Sequence, residues 1–242
     1  MQQRCIVDKF ITRCWGDGTD FIDTDLFRST TGKAARSGLG DMIGEFSNLY
    51  AQSTNATILT DKTHVALADF TKLVDMDGRS YYWEVNKPKY NLYAAQSTDN
   101  ESLSDVSQMK ILFCYNDFDY VRLVKSRFVK TDIPDQPYGT FQKKGISKKC
   151  GYDRPHVQRA IQEKIQSYNM PFINVDGLEK LGLAKIAYIL DNAQVHVGID
   201  SGMTHLANTI KDKNQIDIIV PKDRITGVSY RWINNDFRVS LI

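Results

Sequence analysis

The spacing of apolar residues in the second half of the chain predicts helices and strands in alternation. Over residues 153–168, Val157, Ile161 and Ile165 recur every four positions, and Pro155 suits the first turn of a helix. The elements predicted after this helix are a strand at Pro171–Val175, a helix over 178–190, a strand at Val195–Ile199, a helix at Thr204–Ile210 and a strand at Ile216–Val220. This order is typical of a parallel sheet covered by helices.

The first half is less regular but similar in kind. Its predicted elements are a first strand near Arg4–Ile11, a helix over 39–51, a strand at Ala56–Thr60, a helix at Thr63–Leu73 and strands at Tyr81–Val85 and Lys110–Tyr115. Two prolines interrupt both patterns at Thr131–Tyr138. We therefore expect a compact α/β protein with two Rossmann-like domains, residues 1–130 and 131–242, that face each other across a cleft.

Composition narrows the class of protein without naming a function. The 242 residues are 42% hydrophobic and 25% charged, which is ordinary for a globular chain. The sequence contains no run of about 18 apolar residues and no evident secretion signal, so a cytoplasmic protein is expected. Its four cysteines are far apart, and three histidines have no partner at metal spacing; we expect neither a disulfide framework nor a structural metal.

The charge is unevenly distributed although its sum is only +2. Residues 121–164 hold eleven Lys and Arg against four Asp and Glu. Such a segment is either a solvated surface or a site for phosphates, which belong to a nucleotide or to a polymer backbone.

The most informative segment is Val195–Ile210, VHVGIDSGMTHLANTI. An apolar strand ends at Asp200, a tight turn follows, and a helix begins near Met203. A turn of this kind can direct free amides toward an anion at the positive end of the helix dipole. A diphosphate fits that description, although Asp200 and Ser201 acting only as helix caps would be the simpler explanation. The residues that would form the site are Ser201, Gly202, Met203, Thr204 and His205.

A second segment, Lys33–Glu45, places Gly38 and Gly40 in a loop before an apolar helix. Asp41 then falls at the start of that helix. It is either an N-cap or, at the mouth of a cleft, a group that accepts a proton from an incoming hydroxyl.

Together the two segments resemble glycosyltransferase family 9, the heptosyltransferase-like enzymes with the two-domain GT-B fold. Leu39-Gly40-Asp41 resembles the family's N-terminal Gly-Asp loop, and Asp200 through Ala207 matches its D-[ST]-G-x-x-H-L-A motif at every fixed position. Tyr138–Gln142 resembles the strand that opens the nucleotide-binding domain. The chain is short for this fold and has a long insertion after its first strand, so a short viral member of the family is one interpretation.

The resemblance implies an inverting, metal-independent transferase that moves a sugar from a nucleotide diphosphate sugar to a hydroxyl acceptor, with no further cofactor. It makes residues 1–130 the acceptor side and residues 131–242 the donor side. Asp41 would be the general base. The residues that would hold the donor are Asp200, Ser201, Gly202, Met203, Thr204 and His205, with Gln142, Lys143 and Lys144 supplying a polar group and cations.

Two questions stay open at this level. The acceptor is either a saccharide or a hydroxymethylated base in DNA, which would have to be flipped out of a duplex. The alternative to an enzyme is a non-catalytic protein that binds sugar nucleotides.

Overall fold

The computed structural model describes residues 6–7, 11–13, 20–23, 39–52, 55–60, 69–85, 120–145, 152–224, 232–233 and 235–242. The predicted strand at Lys110–Tyr115, most of the predicted helix at Thr63–Leu73, and Gly38 lie outside these ranges.

The N-terminal sheet has mixed strand directions. Its strands, in sheet order, are β1 (Ile6–Val7), β2 (Ile11–Arg13), β3 (Asp20–Asp23), β4 (Asn55–Thr60) and β5 (Ser80–Val85). The first three strands pair antiparallel, whereas β3, β4 and β5 pair parallel. The prediction of a Rossmann-like N-terminal domain is therefore correct only for the β3–β5 part, and the single strand expected near Arg4–Ile11 is two short strands.

Helix α1 (Leu39–Gln52) connects β3 to β4. It buries Ile43 and Phe46, which are three residues apart and so lie on one face. Gly40 and Asp41 are the second and third residues of this helix. This corrects two expectations, because Gly40 belongs to the helix and not to a loop before it, and Asp41 lies inside the first turn and not at the N-cap position.

The C-terminal sheet is fully parallel, as predicted. Its strands are β6 (Gly139–Phe141), β7 (Phe172–Asn174), β8 (His196–Ile199), β9 (Ile216–Val220) and β10 (Arg238–Leu241), in the order β10-β9-β8-β6-β7. Strands β8 and β9 are buried along their whole length, which explains their nearly continuous apolar sequence. Strand β10 was not predicted.

The helices that the described residues form beside this sheet are α2 (Pro155–Gln166), α3 (Leu183–Asn192) and α4 (Gly202–Asn208). Pro155 stands at the first position of α2, as expected. The predicted helix over 178–190 is divided at Gly182 into a 3-10 turn, Leu178–Leu181, and α3. Gly182 has a φ of 79°, a backbone angle that favours glycine and ends the turn.

One buried apolar cluster unites elements from both halves. It includes Ile43 and Phe46 of α1 together with Met203 and Leu206 of α4. The irregular segment 120–129 also contacts both halves, because the N–H of Val124 donates to Leu73 (2.8 Å) and that of Leu123 to Thr209 (3.2 Å). The first turns of α1 and α4 are held together by this core.

Candidate active site

The predicted motif occupies the turn between β8 and α4, at the carboxyl edge of the parallel sheet. Strand β8 ends at Ile199, Asp200 and Ser201 form the turn, and α4 begins at Gly202. Ser201 has extended backbone, but its hydroxyl makes no capping bond to α4 and donates to Oε1 of Gln142. Gln142 follows β6, so this bond joins the ends of two neighbouring strands.

The loop after β6 is fixed from the other side by β7. Asp176 lies just beyond β7, and its carboxylate accepts the backbone N–H groups of Lys143 (3.0 Å) and Lys144 (3.2 Å). The side-chain amide of Gln142 donates to the carbonyl oxygen of Lys144 at 3.0 Å. The two lysines are therefore attached to the same sheet edge as Asp200 by fixed backbone.

Asp200 is the most tightly held polar residue of the turn. Its Oδ1 accepts the indole N–H of Trp232 at 2.8 Å and lies 3.2 Å from Nε2 of His205. The Asp200 side chain is only 10% exposed and that of His205 only 5%. An ionised carboxylate can only accept, so Nε2 of His205 carries a proton that it donates to Asp200.

The other ring nitrogen of His205 faces Tyr120. The Tyr120 hydroxyl lies 2.5 Å from Nδ1, and the two rings stack with centroids 5.8 Å apart. Tyr120 and Nδ1 of His205 are therefore hydrogen-bonded to each other. Trp232 covers the histidine ring further, at 4.8 Å between centroids. His205, predicted to contact a ligand, thus has protein partners at both nitrogens.

Thr204 and His196 lie on the opposite, fully buried side of the turn. The Thr204 hydroxyl donates to the carbonyl of Ile199 at 2.6 Å and lies 3.3 Å from Nε2 of His196. Nδ1 of His196 lies 3.0 Å from the hydroxyl of Thr140. Burial, with a smaller contribution from Lys211, lowers the pKa of His196 to about 3. The Thr204 side chain was predicted to hold a ligand, but in this structure its hydroxyl contacts Ile199 and His196.

Two glycines permit the contact between α1 and α4. A Cβ on Gly40 would lie 2.4 Å from Cδ2 of His205, closer than real Cβ contacts allow. A Cβ on Gly202 would lie 2.9 Å from Cβ of Leu39 and 3.3 Å from the backbone nitrogen of Gly40. Gly202 was expected to make room for a ligand, whereas in this structure the space beside it is taken by α1. The helix turn that contains Asp41 therefore lies directly beside the motif.

The structure brings most of the predicted site residues to one place. Gln142, Ser201, Gly202, Thr204, His205 and Asp200 belong to one connected group, and α1 presents Gly40 to it. Met203 differs from these residues, because its side chain is buried in the apolar core shared by α1 and α4. The cleft with Asp41 and Asp200 on opposite walls stays a prediction.

Sequence reasoning missed Tyr120, Asp176 and Trp232. Asp176 follows a predicted strand at the carboxyl edge of the sheet, and that position alone was a usable signal. Tyr120 and Trp232 lie outside any predicted element, and no spacing in the sequence connects them with Asp200.

Within the described ranges, no group of three or more His, Cys, Asp or Glu side chains is arranged to hold a metal ion. Among the same residues, no helix has the length and apolar character needed to cross a membrane.

The part of the chain that bears the motif is similar to a known protein family. Residues 149–218 match the model of glycosyltransferase family 9 (heptosyltransferase). The matched range includes β8, the Asp200–His205 turn and α4. The match confirms the family resemblance inferred from Asp200–Ala207 and covers less than a third of the chain.

A comparison of folds finds the crystal structure of the bacterial iron-containing dodecameric glycosyltransferase TibC from enterotoxigenic E. coli H10407, with 12% sequence identity and a TM-score of 0.46. The aligned region covers 76% of this chain and 56% of TibC. The chain thus spans little more than half the length of that enzyme. A search of curated proteins finds no match.

Proposed function

We propose that the chain is an inverting glycosyltransferase that moves a sugar from a nucleotide diphosphate sugar to a hydroxyl acceptor, with no metal ion in the reaction. One observation carries the proposal: the first turn of α1, which holds Asp41, packs against the family 9 motif at Gly40 and His205. Asp41, the proposed proton acceptor, and the motif proposed to hold the donor lie on neighbouring helix turns, although about 160 positions separate them in the sequence.

In this proposal Asp41 takes the proton from the acceptor hydroxyl as its oxygen attacks the anomeric carbon. The bond from that carbon to the diphosphate oxygen breaks, and the nucleoside diphosphate leaves with the bonding electrons. The backbone at the start of α4 and the cations of Lys143 and Lys144 offset the developing negative charge. Asp200 accepts a hydrogen bond from a hydroxyl of the donor sugar.

The lysine pair offers a direct test of the donor side. A Lys143→Ala, Lys144→Ala double variant is expected to bind nucleoside diphosphate about tenfold or more weakly, because two cations near the phosphates are removed. Lys180→Ala, which removes an exposed lysine on the 3-10 turn before α3, is the matched control. Equal affinities in the double variant and the control would refute this placement of the diphosphate. Calorimetric titration with ADP, UDP and GDP measures the effect.

A panel of nucleotide sugars tests the activity itself. An enzyme releases nucleoside diphosphate in the presence of a hydroxyl acceptor, whereas a sugar-nucleotide-binding protein gains thermal stability with the nucleotide and releases none. The second result would replace the proposal with the alternative stated above.

The acceptor class is tested by duplex DNA binding at increasing salt. An enzyme that modifies a DNA base should bind DNA at low salt and lose affinity steeply as salt rises. Negligible DNA affinity at every salt concentration would leave a saccharide as the acceptor.

A further inference from the structure

A buried indole is attached to the carboxylate of the family motif. Oδ1 of Asp200 accepts the Nε1–H of Trp232 at 2.8 Å and the Nε2–H of His205 at 3.2 Å. Within the described part of the chain, Oδ2 of Asp200 makes no hydrogen bond. One oxygen is thus fixed by two donors, and the other is left to accept a bond from outside the protein.

Trp232 is held firmly enough to fix the direction of its N–H group. The residue is fully buried, and its ring meets the Phe237 ring edge-on, at 4.9 Å and 90°. Strand β10 begins at Arg238, the residue after Phe237. Arg238 pairs in register with Asp217 of β9, and its guanidinium donates to the Asp217 carboxylate at 3.0 Å. The position of the indole is therefore set by a strand of the sheet.

The second donor to Asp200 is fixed in the same manner. A hydrogen bond with Tyr120 holds Nδ1 of His205, and the other ring nitrogen, Nε2, faces Asp200. The histidine ring is enclosed by Tyr120, Trp232 and the position of Gly40. These neighbours prevent the ring from turning away.

We propose that Trp232 is a positioning residue for sugar transfer, and that Tyr120 is a second one acting through His205. Together they orient Asp200 so that Oδ2 is presented to a hydroxyl of the donor sugar. This inference rests on the proposed function and adds to it two residues outside the family motif. Neither residue contacts the reacting atoms.

The kinetic test uses Trp232→Phe, which keeps an aromatic ring in the core and removes the N–H group. We expect KM for the nucleotide sugar to rise about tenfold, since a hydrogen bond to a charged group is lost, while kcat changes less. Tyr120→Phe should raise KM by a smaller factor. Leu241→Ala, at an exposed side chain on β10, is the control for changes in the C-terminal strand and should leave KM unchanged.

A double-mutant cycle separates positioning from packing. In an Asp200→Asn background, Trp232→Phe should have little additional effect on KM, because the group it positions is already altered. If the tryptophan matters only for the core, the two effects multiply, and the inference is overturned.

A spectroscopic readout that needs no activity completes the test. The chain has three tryptophans, and the indole N–H signal of Trp232 is identified by its loss in Trp232→Phe. Asp200→Asn should move that signal and speed its exchange with solvent. A signal that does not respond to Asp200→Asn refutes the contact on which the inference depends.

The outcomes also distinguish this inference from the proposed function. An active parent protein whose KM is the same in Trp232→Phe overturns the positioning role alone. A parent protein that transfers no sugar from any donor overturns the proposed function and the positioning role together, even where the indole signal responds.

Discussion

Two buried histidines on either side of the β8–α4 turn have different neighbours. His196 lies between the hydroxyls of Thr140 and Thr204, whereas His205 lies between the Tyr120 hydroxyl and the Asp200 carboxylate. We call these the threonine side and the carboxylate side of the turn.

The two sides of the turn differ in how completely their polar atoms are paired within the protein. On the threonine side the hydroxyls of Thr140 and Thr204 and both nitrogens of His196 have protein partners, and burial keeps the histidine neutral. On the carboxylate side, one oxygen of Asp200 is left over within the described structure. Substitutions on the threonine side should therefore change stability, and those on the carboxylate side should change binding and turnover.

The largest expected effect is at Asp41, on the helix turn that packs against the carboxylate side. Asp41→Asn keeps the size of the side chain but cannot accept a proton, so turnover should fall about 10²–10⁴-fold with nucleotide affinity nearly unchanged. Steady-state kinetics with calorimetric titration measure the two quantities. Asp135→Asn, at an exposed position, is the control. Normal turnover in Asp41→Asn would leave the base of the reaction unassigned.

The next effect concerns the packing of α1 on His205. A Cβ in Gly40→Ala would meet the histidine ring at 2.4 Å, so the ring or the helix must shift. Overpacking of this kind costs about 1–3 kcal/mol of unfolding free energy, and denaturant unfolding measures it. The same substitution in a His205→Ala background should cost much less, because the obstructing ring is gone. Equal costs in both backgrounds would contradict the contact.

Thr204→Val tests the threonine side directly. The variant has almost the same shape but loses the bond to Ile199 and the contact with His196. We expect a loss of about 1–2 kcal/mol of unfolding free energy with KM for the donor unchanged. A specific rise in KM without loss of stability would mean that the Thr204 hydroxyl serves the ligand, as first predicted from the sequence.

The smallest effect at neutral pH is a dependence of stability on pH, which grows as the pH falls. Native His196 has a pKa of about 3, against 6.5 for an ordinary histidine, so between these values the unfolded chain binds a proton that the native chain does not. Stability therefore falls as the pH falls from 6.5 toward 3, by about 1.4 kcal/mol per pH unit from this residue. His196→Gln should lose this component, and His156→Gln, at an exposed position, should keep it. Identical pH profiles for all three proteins would argue against a neutral buried His196.

The sequence predicted the parallel sheet better than the connections between distant segments. Strands β8 and β9 are mostly apolar because both faces are buried, with His196 and Asp217 as the polar exceptions, and that pattern is visible in a single sequence. Strand β10 has the sequence RVSL and contains only exposed or partly buried residues, so no such pattern marks it. Its pairing depends on β9, which lies about 20 positions earlier in the chain.

The candidate site also contains residues that the sequence could group together and residues that it could not. Asp200, Ser201 and His205 follow one another within a motif, so their grouping could be predicted. Trp232 reaches Asp200, and Tyr120 reaches His205, only through tertiary packing, which leaves no periodic trace in the sequence. Local spacing also could not reveal that Gly40 and Gly202 serve the contact between two helices, because each glycine's neighbour belongs to the other segment.

The buried cluster shared by α1 and α4 has a consequence for the energetics of unfolding. Ile43 and Phe46 are covered by residues from the other half of the chain, so separating the halves would expose apolar surface on both. Opening of either half alone is therefore costly, and the amides of α1 and α4 should exchange with solvent in one cooperative unit. The pair of helices that brings Asp41 beside the motif would thus persist until the protein unfolds as a whole.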